Sequence, residues 1–285
     1  MKVKHLFDKT TCTLTYIVFD EISKDAVIID PVLDYDPADG AVTKESITKL
    51  LNEVNDLGLR VWMILETHVH ADHLSSSQLL KKKFPDAVLA IGKNICTVQN
   101  MFKSVFNLGN DFKTDGSQFD RLFSDGETVT AGSLQFQVLF TPGHTPACVS
   151  YLFDGAVFTG DVLFMPDYGT GRCDFPAGCA QSLYKSIYDI LYQLPDATDV
   201  YVGHDYMPGG RDLAYKTTIS EEKEKNIHLK KTTSESSFVE MRRNRDKTLH
   251  APKLLFPSVQ VNMSAGSFPD PEKNGSVYLV TPVKF

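Results

Sequence analysis

The chain has 285 residues, with 29 Lys and Arg against 36 Asp and Glu for a net charge of −7; 42% of it is apolar and 23% charged. At about 150 residues per domain this allows one or two domains whose core needs no disulfide staples, and it excludes mini-protein scaffolds, collagen-like repeats and mainly disordered chains. No run approaches the ~20 apolar residues that span a bilayer, and Met1–Thr10 (MKVKHLFDKT) has no signal-peptide core, so a soluble, cytoplasmic protein without a membrane partner is expected. The acidic balance disfavours nucleic acid, which calls for clustered Lys and Arg. Five cysteines, Cys12, Cys96, Cys148, Cys173 and Cys179, form an odd set without a C-x-x-C pair, which fits a reducing compartment.

In chain order, Thr11–Phe19 and Ala26–Asp30 read as strands, being rich in β-branched and aromatic residues between Gly, Pro or Asp. Residues 43–57 follow with Ile47, Leu50, Leu51, Val54 and Leu57 at helical spacing, Thr43 as N-cap and Gly58 as stop. Arg60–Glu66 is a strand carrying Trp62, expected in the core; Ser75–Phe84 is a helix and Ala87–Ile91 a strand. Leu134–Phe140 and Cys148–Phe153 read as a hairpin-like pair, followed by a strand at Ala156–Thr159, a helix at Gln181–Leu194 and a strand at Asp199–Val202. Strands mixed with helices predict an α/β (α+β) fold of buried sheets covered by helices.

From about Asp212 the texture changes to charge runs (Glu221–Lys225, Met241–Asp246) and then to Pro and Gly. Apolar residues persist there (Phe238, Val239, Leu254, Leu255, Phe256, Val259, Val261, Val277, Tyr278, Leu279), so residues 1–210 are expected to form the main domain and 211–285 an extension packed on it, with no chemistry of its own.

The histidines carry the functional signal. His68, His70 and His73 lie in THVHADH directly after the strand ending at Glu66, and His144, Asp161 and His204 each follow a strand through a small residue, in TPGH, TGD and VGH. A strand that ends in a small residue and then a donor delivers that donor to a sheet edge, where sites form. In an extended segment His68 and His70 point the same way, and a turn brings in Asp72 and His73, so the cluster suits one or two metal ions. Neutral imidazole takes Zn, Fe, Mn or Cu, and carboxylate favours a hard or borderline ion. Histidines satisfied separately in core or surface would be the alternative, but a buried imidazole requires a partner and H-x-H-x-D-H repeats one donor type densely.

THVHADH with His144, Asp161 and His204 downstream resembles the metallo-β-lactamase superfamily over about residues 10–210. The resemblance implies an αβ/βα four-layer sandwich with a metal site at one edge between two sheets. Gly171-Arg172-Cys173-Asp174-Phe175, Gly178-Cys179-Ala180, Leu183-Tyr184 and Gly203-His204-Asp205-Tyr206 are similar to the persulfide dioxygenase (ETHE1-like sulfur dioxygenase) branch. That branch holds a single Fe(II) on two histidines and one aspartate, which carries over to His68, His144 and Asp161 and leaves His70, Asp72, His73 and His204 outside the iron's ligand set. Two features depart from the branch: Cys173 replaces a Thr, and the chain after about Gly210 is longer. A fused rhodanese domain, which some members of the branch carry, is not expected in these 285 residues.

The resemblance implies oxidation of glutathione persulfide, or a similar small persulfide, by O2 to sulfite, because three protein ligands leave octahedral corners for sulfur and O2 side by side. Arg172 is the candidate for organising the site or drawing in the anionic substrate, the other option being an ion pair with Asp174. Tyr206 is the candidate for hydrogen-bonding a bound ligand, or else packs beside the site. Cys173 or Cys179 is redox-active or simply buried. A homodimer is allowed. The rival is a dinuclear Zn(II) thioester hydrolase of the hydroxyacylglutathione hydrolase (glyoxalase II) type, with His68, His70 and His144 on one zinc, Asp72, His73 and His204 on the other and Asp161 between them. A non-catalytic metal sensor would want a closed site, and a nuclease a basic tract with aromatics.

Overall fold

The computed structural model describes residues 1–283. Lys2–Asp8 (β1), Thr13–Phe19 (β2), Asp25–Ile29 (β3), Arg60–Leu65 (β4), Val88–Gly92 (β5) and Arg121–Phe123 (β6) form one six-stranded sheet in that order. Thr128–Ala131 (β7), Leu134–Phe140 (β8), Val149–Phe153 (β9), Ala156–Phe158 (β10), Asp199–Tyr201 (β11) and Lys216–Thr218 (β12) form the second. Pairing is parallel from β3 to β6 and between β10 and β11, antiparallel elsewhere.

The period of two along a strand sorts β2 between two cores. Leu14, Tyr16 and Val18 face the second sheet and share one core with Phe136, Tyr151 and Phe158. Ile17 and Phe19 face outward, where Glu45–Asp56 (α1), Ser77–Lys83 (α2) and Ile95–Val105 (α3) cover the sheet through Ile47, Leu50, Val54, Leu80, Val98 and Phe102. Ala180–Lys185 (α4) covers the second sheet, giving helix, sheet, sheet, helix: the four-layer αβ/βα sandwich. Among the described residues no helix is long and apolar enough to cross a membrane.

After Gly210 the chain forms Ile219–Lys225 (α5), Glu235–Asp246 (α6) and Leu255–Asn262 (α7). Phe238 and Val239 enter the core of the second sheet, Val259 that of the first, and Val261 a small cluster with Leu33 and Leu74. Each such side chain contributes about 1.5–3 kcal/mol on full burial, which holds this segment down on both halves. Val277 and Tyr278, read from the sequence as part of that contact, are exposed.

Four local readings need correction. The first helix starts at Glu45 with Lys44 at the cap position, and its first turn is served not by Thr43 but by Asp34, whose carboxylate accepts from the Ser46 N–H at 2.9 Å and hydroxyl at 2.6 Å. Gly58 does end it, at φ +64°. The single helix expected over 181–194 instead passes from α4 into a wide π turn at Ser186–Ile190 and a 3-10 turn at Leu191–Gln193. Leu183, Ile187 and Leu191 are four apart and all fully buried, and a widened turn keeps that spacing on one line where 3.6 residues per turn would let it drift. Trp62 is half-buried; its indole N–H donates to Asp25 at 2.6 Å while the Arg60 guanidinium lies 4.0 Å over the ring. Finally, β1, β6, β7 and β12 were not legible as strands, being short or, in β1, charged and partly exposed at the sheet edge.

Candidate metal centre

In-register parallel pairing aligns strand ends. Ile29 pairs with Leu65 and Phe158 with Tyr201, so Asp30 and Glu66 leave the first sheet side by side, and Asp161 and His204 each leave the second three residues past the pair. The two sheets are tied at this edge by Leu14 N–H to the Gly203 carbonyl and Val149 N–H to the Thr67 carbonyl, both 2.9 Å. That juncture gathers all seven sequence-predicted donors.

His68, His144 and Asp161 form one group with ligand atoms within 4.8 Å of one another; His70, Asp72 and His73 form a second, and Asp72, Asp161 and His204 a third. His68 Nε2 is 3.9 Å and His144 Nε2 3.7 Å from Asp161 Oδ2, while His204 Nε2 is 3.3 Å from Asp161 Oδ1 and 3.1 Å from Asp72 Oδ2. These separations can be bridged by ions ~2.1 Å from each donor.

The opposite edge of each ring fixes its tautomer. His144 Nδ1 donates to the Arg172 carbonyl at 2.7 Å, His204 Nδ1 to Cys12 at 3.1 Å and His73 Nδ1 to Leu74 at 3.0 Å, which leaves Nε2 of each as the inward lone pair. His68 Nδ1 lies 3.0 Å from the Thr67 hydroxyl. His70 is turned the other way, Nε2 standing 3.1 Å from Asp30 and 3.3 Å from Glu66, so that Nδ1 faces inward.

Electrostatics follow from these contacts. Burial pushes His68 well below the usual imidazole value, and burial with the neighbouring His70 takes His73 down to about 4. Burial acts the same way on His204, but Asp161 and Asp72 outweigh it and raise it to about 9. In His70, too, burial is overcome, here by Asp30 and Glu66.

His68 Nε2, His70 Nδ1, His73 Nε2, Asp72 Oδ2 and Asp161 Oδ1 are buried atoms that make no hydrogen bond. Five orphaned polar atoms converging on one space are costly, because buried polar groups call for partners, and a cation removes the cost. The donor set therefore fits a metal of the Fe, Zn or Mn kind, all nitrogen and oxygen with no thiolate.

His144, Asp161 and Asp72 face a cavity of about 560 Å3, whose wall includes Tyr206 and Arg172 and, from the C-terminal segment, Arg242, Arg245, Lys253 and Leu254. Residues past 210 thus build one wall of the cavity. Arg172 gives its fork to Asp174, at 2.5 and 2.6 Å, and a third donor to the His250 carbonyl at 2.7 Å, the ion pair that the sequence left as the other option. Tyr206 stacks on His204 at 5.5 Å and on Tyr168 at 4.6 Å and is 40% exposed. Cys173 is buried, which raises its thiol; Cys179 is half-buried and lowered by hydrogen bonds from the side chain and N–H of Ser182. The sequence reading missed Asp30, Glu66 and Asn262. For the first two a signal existed: AVIID and MILE end apolar strands in a carboxylate, the same pattern that marked Asp161 and His204.

A four-layer sandwich with His and Asp donors gathered where its two sheets meet defines a metal-binding protein of the metallo-β-lactamase kind. The metallo-beta-lactamase superfamily profile matches residues 11–204, and the chain belongs to that superfamily. It is 48% identical over 293 positions to a probable metallo-hydrolase of Burkholderia pseudomallei, covering 99% of both chains, and 46% identical to glyoxylase B2 of Dictyostelium discoideum, covering 100% of this chain and 97% of that one. It is 31% identical to the human mitochondrial persulfide dioxygenase ETHE1, over 93% of this chain and 88% of the other. The crystal structure of ETHE1 from Myxococcus xanthus matches with a TM-score of 0.75 at 35% identity, covering 94% of this chain and 100% of that one. Within the superfamily the likeness supports the ETHE1-like branch.

Proposed function

We propose that the chain is a persulfide dioxygenase with one Fe(II) held by His68, His144 and Asp161. The observation that carries this reading is that these three donors form one group, two of them at the cavity wall, while His204 lies between Asp72 and Asp161. Bound there, Fe(II) would supply the redox chemistry that oxidises a persulfide sulfur with O2 to sulfite.

The chain's own residues orient and exclude. The Arg172 carbonyl sets the His144 ring, and Thr67 sets His68. Phe164, Tyr168, Tyr206 and Leu254 give the cavity apolar walls that keep water from the reacting sulfur, and Arg245 and Lys253 supply positive charge for a carboxylate-bearing thiol of the glutathione type.

A second reading, the dinuclear Zn(II) thioester hydrolase, is favoured by one observation: Asp161 offers Oδ2 to His68 and His144 and Oδ1 to His204, as a bridging carboxylate does. The names of the Burkholderia and Dictyostelium relatives point the same way. Anaerobically prepared, iron-loaded protein given glutathione persulfide should take up O2 and release sulfite. Thioester cleavage without O2 uptake would overturn the first reading in favour of the second.

A further inference from the structure

We propose that Asn262 is a positioning residue for the metal-binding loop: its carboxamide fixes the backbone that aims His70, Asp72 and His73. This rests on the reading of the histidine cluster as a metal site.

Asn262 is the last residue of α7 and only 5% exposed. Its Nδ2 donates to the carbonyls of His70 at 2.9 Å and His73 at 2.7 Å, and its Oδ1 accepts from the Ser75 N–H at 2.8 Å. Both amide hydrogens and the carbonyl oxygen are spent on one six-residue stretch, 70–75. The stretch is irregular until Leu74, so it has no strand ladder for the His70 and His73 carbonyls, and buried backbone groups require partners. Two donors and an acceptor in this planar arrangement are what a carboxamide has and a carboxylate lacks.

These bonds bracket Asp72. Turning the peptide that carries the His70 or His73 carbonyl swings the side chains of Asp72 and His73, so a donor seated on those carbonyls sets the direction of two metal-facing groups without touching either. The support is itself rigid. Val259 and Val261 anchor α7 in two cores, and Gly266 just beyond lies so near the loop that a Cβ there would stand 3.0 Å from the Ser75 carbonyl oxygen and 3.3 Å from the Gln78 nitrogen. The C-terminal segment thereby belongs to the metal centre, through one side chain, as well as to the cavity wall.

The test is Co(II) titration of the metal-free full chain, read by absorption, for the wild type and for Asn262→Asp, Asn262→Ala and Val259→Ala. The first keeps size and acceptor but loses both donors; the last loosens α7 while leaving all three hydrogen bonds of the carboxamide in place. Asn262→Asp is expected to weaken Co(II) binding by about 10- to 100-fold and to alter the visible band, as loss of a partner behind a ligand does. Val259→Ala is expected to lower the melting temperature while keeping wild-type affinity and spectrum. Wild-type affinity and spectrum in Asn262→Asp, or an equal weakening in Val259→Ala, overturns the proposal. If Asn262→Asp does not fold, Asn262→Ala carries the same expectation. Should neither fold, hydrogen exchange at the Ser75 amide of the wild type decides: Co(II) must slow it, and unchanged exchange counts against the proposal. A wild-type chain that takes up no Co(II) overturns the metal reading itself.

Discussion

His144 Nδ1 stands 2.7 Å from the carbonyl oxygen of Arg172. A carbonyl only accepts, so the proton is on Nδ1 and the Nε2 lone pair faces Asp161. The segment Gly171–Phe175 therefore reaches the site through a backbone oxygen, while the guanidinium of Arg172 turns to Asp174 and the His250 carbonyl.

If that guanidinium is a strut, Arg172→Ala and Asp174→Ala remove the same interaction. Both ends are partly exposed, so each should cost about 0.5–1 kcal/mol in denaturant unfolding, and the double variant no more than the larger single one. Additive losses would show that Arg172 acts elsewhere, and a selective rise in KM for the persulfide in Arg172→Ala would place it on the substrate.

Metal stoichiometry separates the two readings of the site. His73→Ala should leave one iron per chain, by elemental analysis of anaerobic protein, whereas His68→Ala and His144→Ala should lose it. Halving of metal content in His73→Ala would mark a dinuclear centre.

Gly171 fits between two proposed ligands. A Cβ there would meet the Asp161 carbonyl oxygen at 1.9 Å and His144 Cβ at 3.5 Å, and the nearer obstacle is backbone that cannot rotate away. Gly171→Ala should cost at least about 1–3 kcal/mol and lower metal content, as read by thermal unfolding and metal analysis. Intact loading with wild-type stability would mean that the 161 and 171 segments part freely.

Glu222, fully buried in α5, has one carboxylate oxygen on Asn226 and the other without a partner, and burial holds it well above the usual carboxyl range. A group whose folded value lies above its unfolded value contributes stability that is complete below the unfolded value and is lost as pH rises toward the folded one. Glu222→Gln, neutral throughout, should therefore melt higher than the wild type at pH 8, with the gap narrowing toward pH 4. Parallel melting curves across that range would refute the assignment.

The strand ends and donor inventory were legible because they are local. A β-rich run closed by a small residue and a His or Asp needs only its own few residues to place the donor at a sheet edge, and parallel pairing then lines the edges up. The helix stop at Gly58 was legible for the same reason, and the cap at Thr43 was not, because Asp34, twelve residues away from Ser46, out-competes it.

What the tertiary structure alone decided is which of several local options each group takes. Arg172 meets both Asp174 and a carbonyl at 250; Asp30 and Glu66 share His70; Asn262 grips residues 70–75. In each case the deciding partner lies on another element, brought near by burial of apolar faces that carry no record of which polar groups they will align. Periodicity and turn chemistry act over a few residues and fix the elements, whereas a buried polar group chooses its partner only once packing has removed water as the alternative.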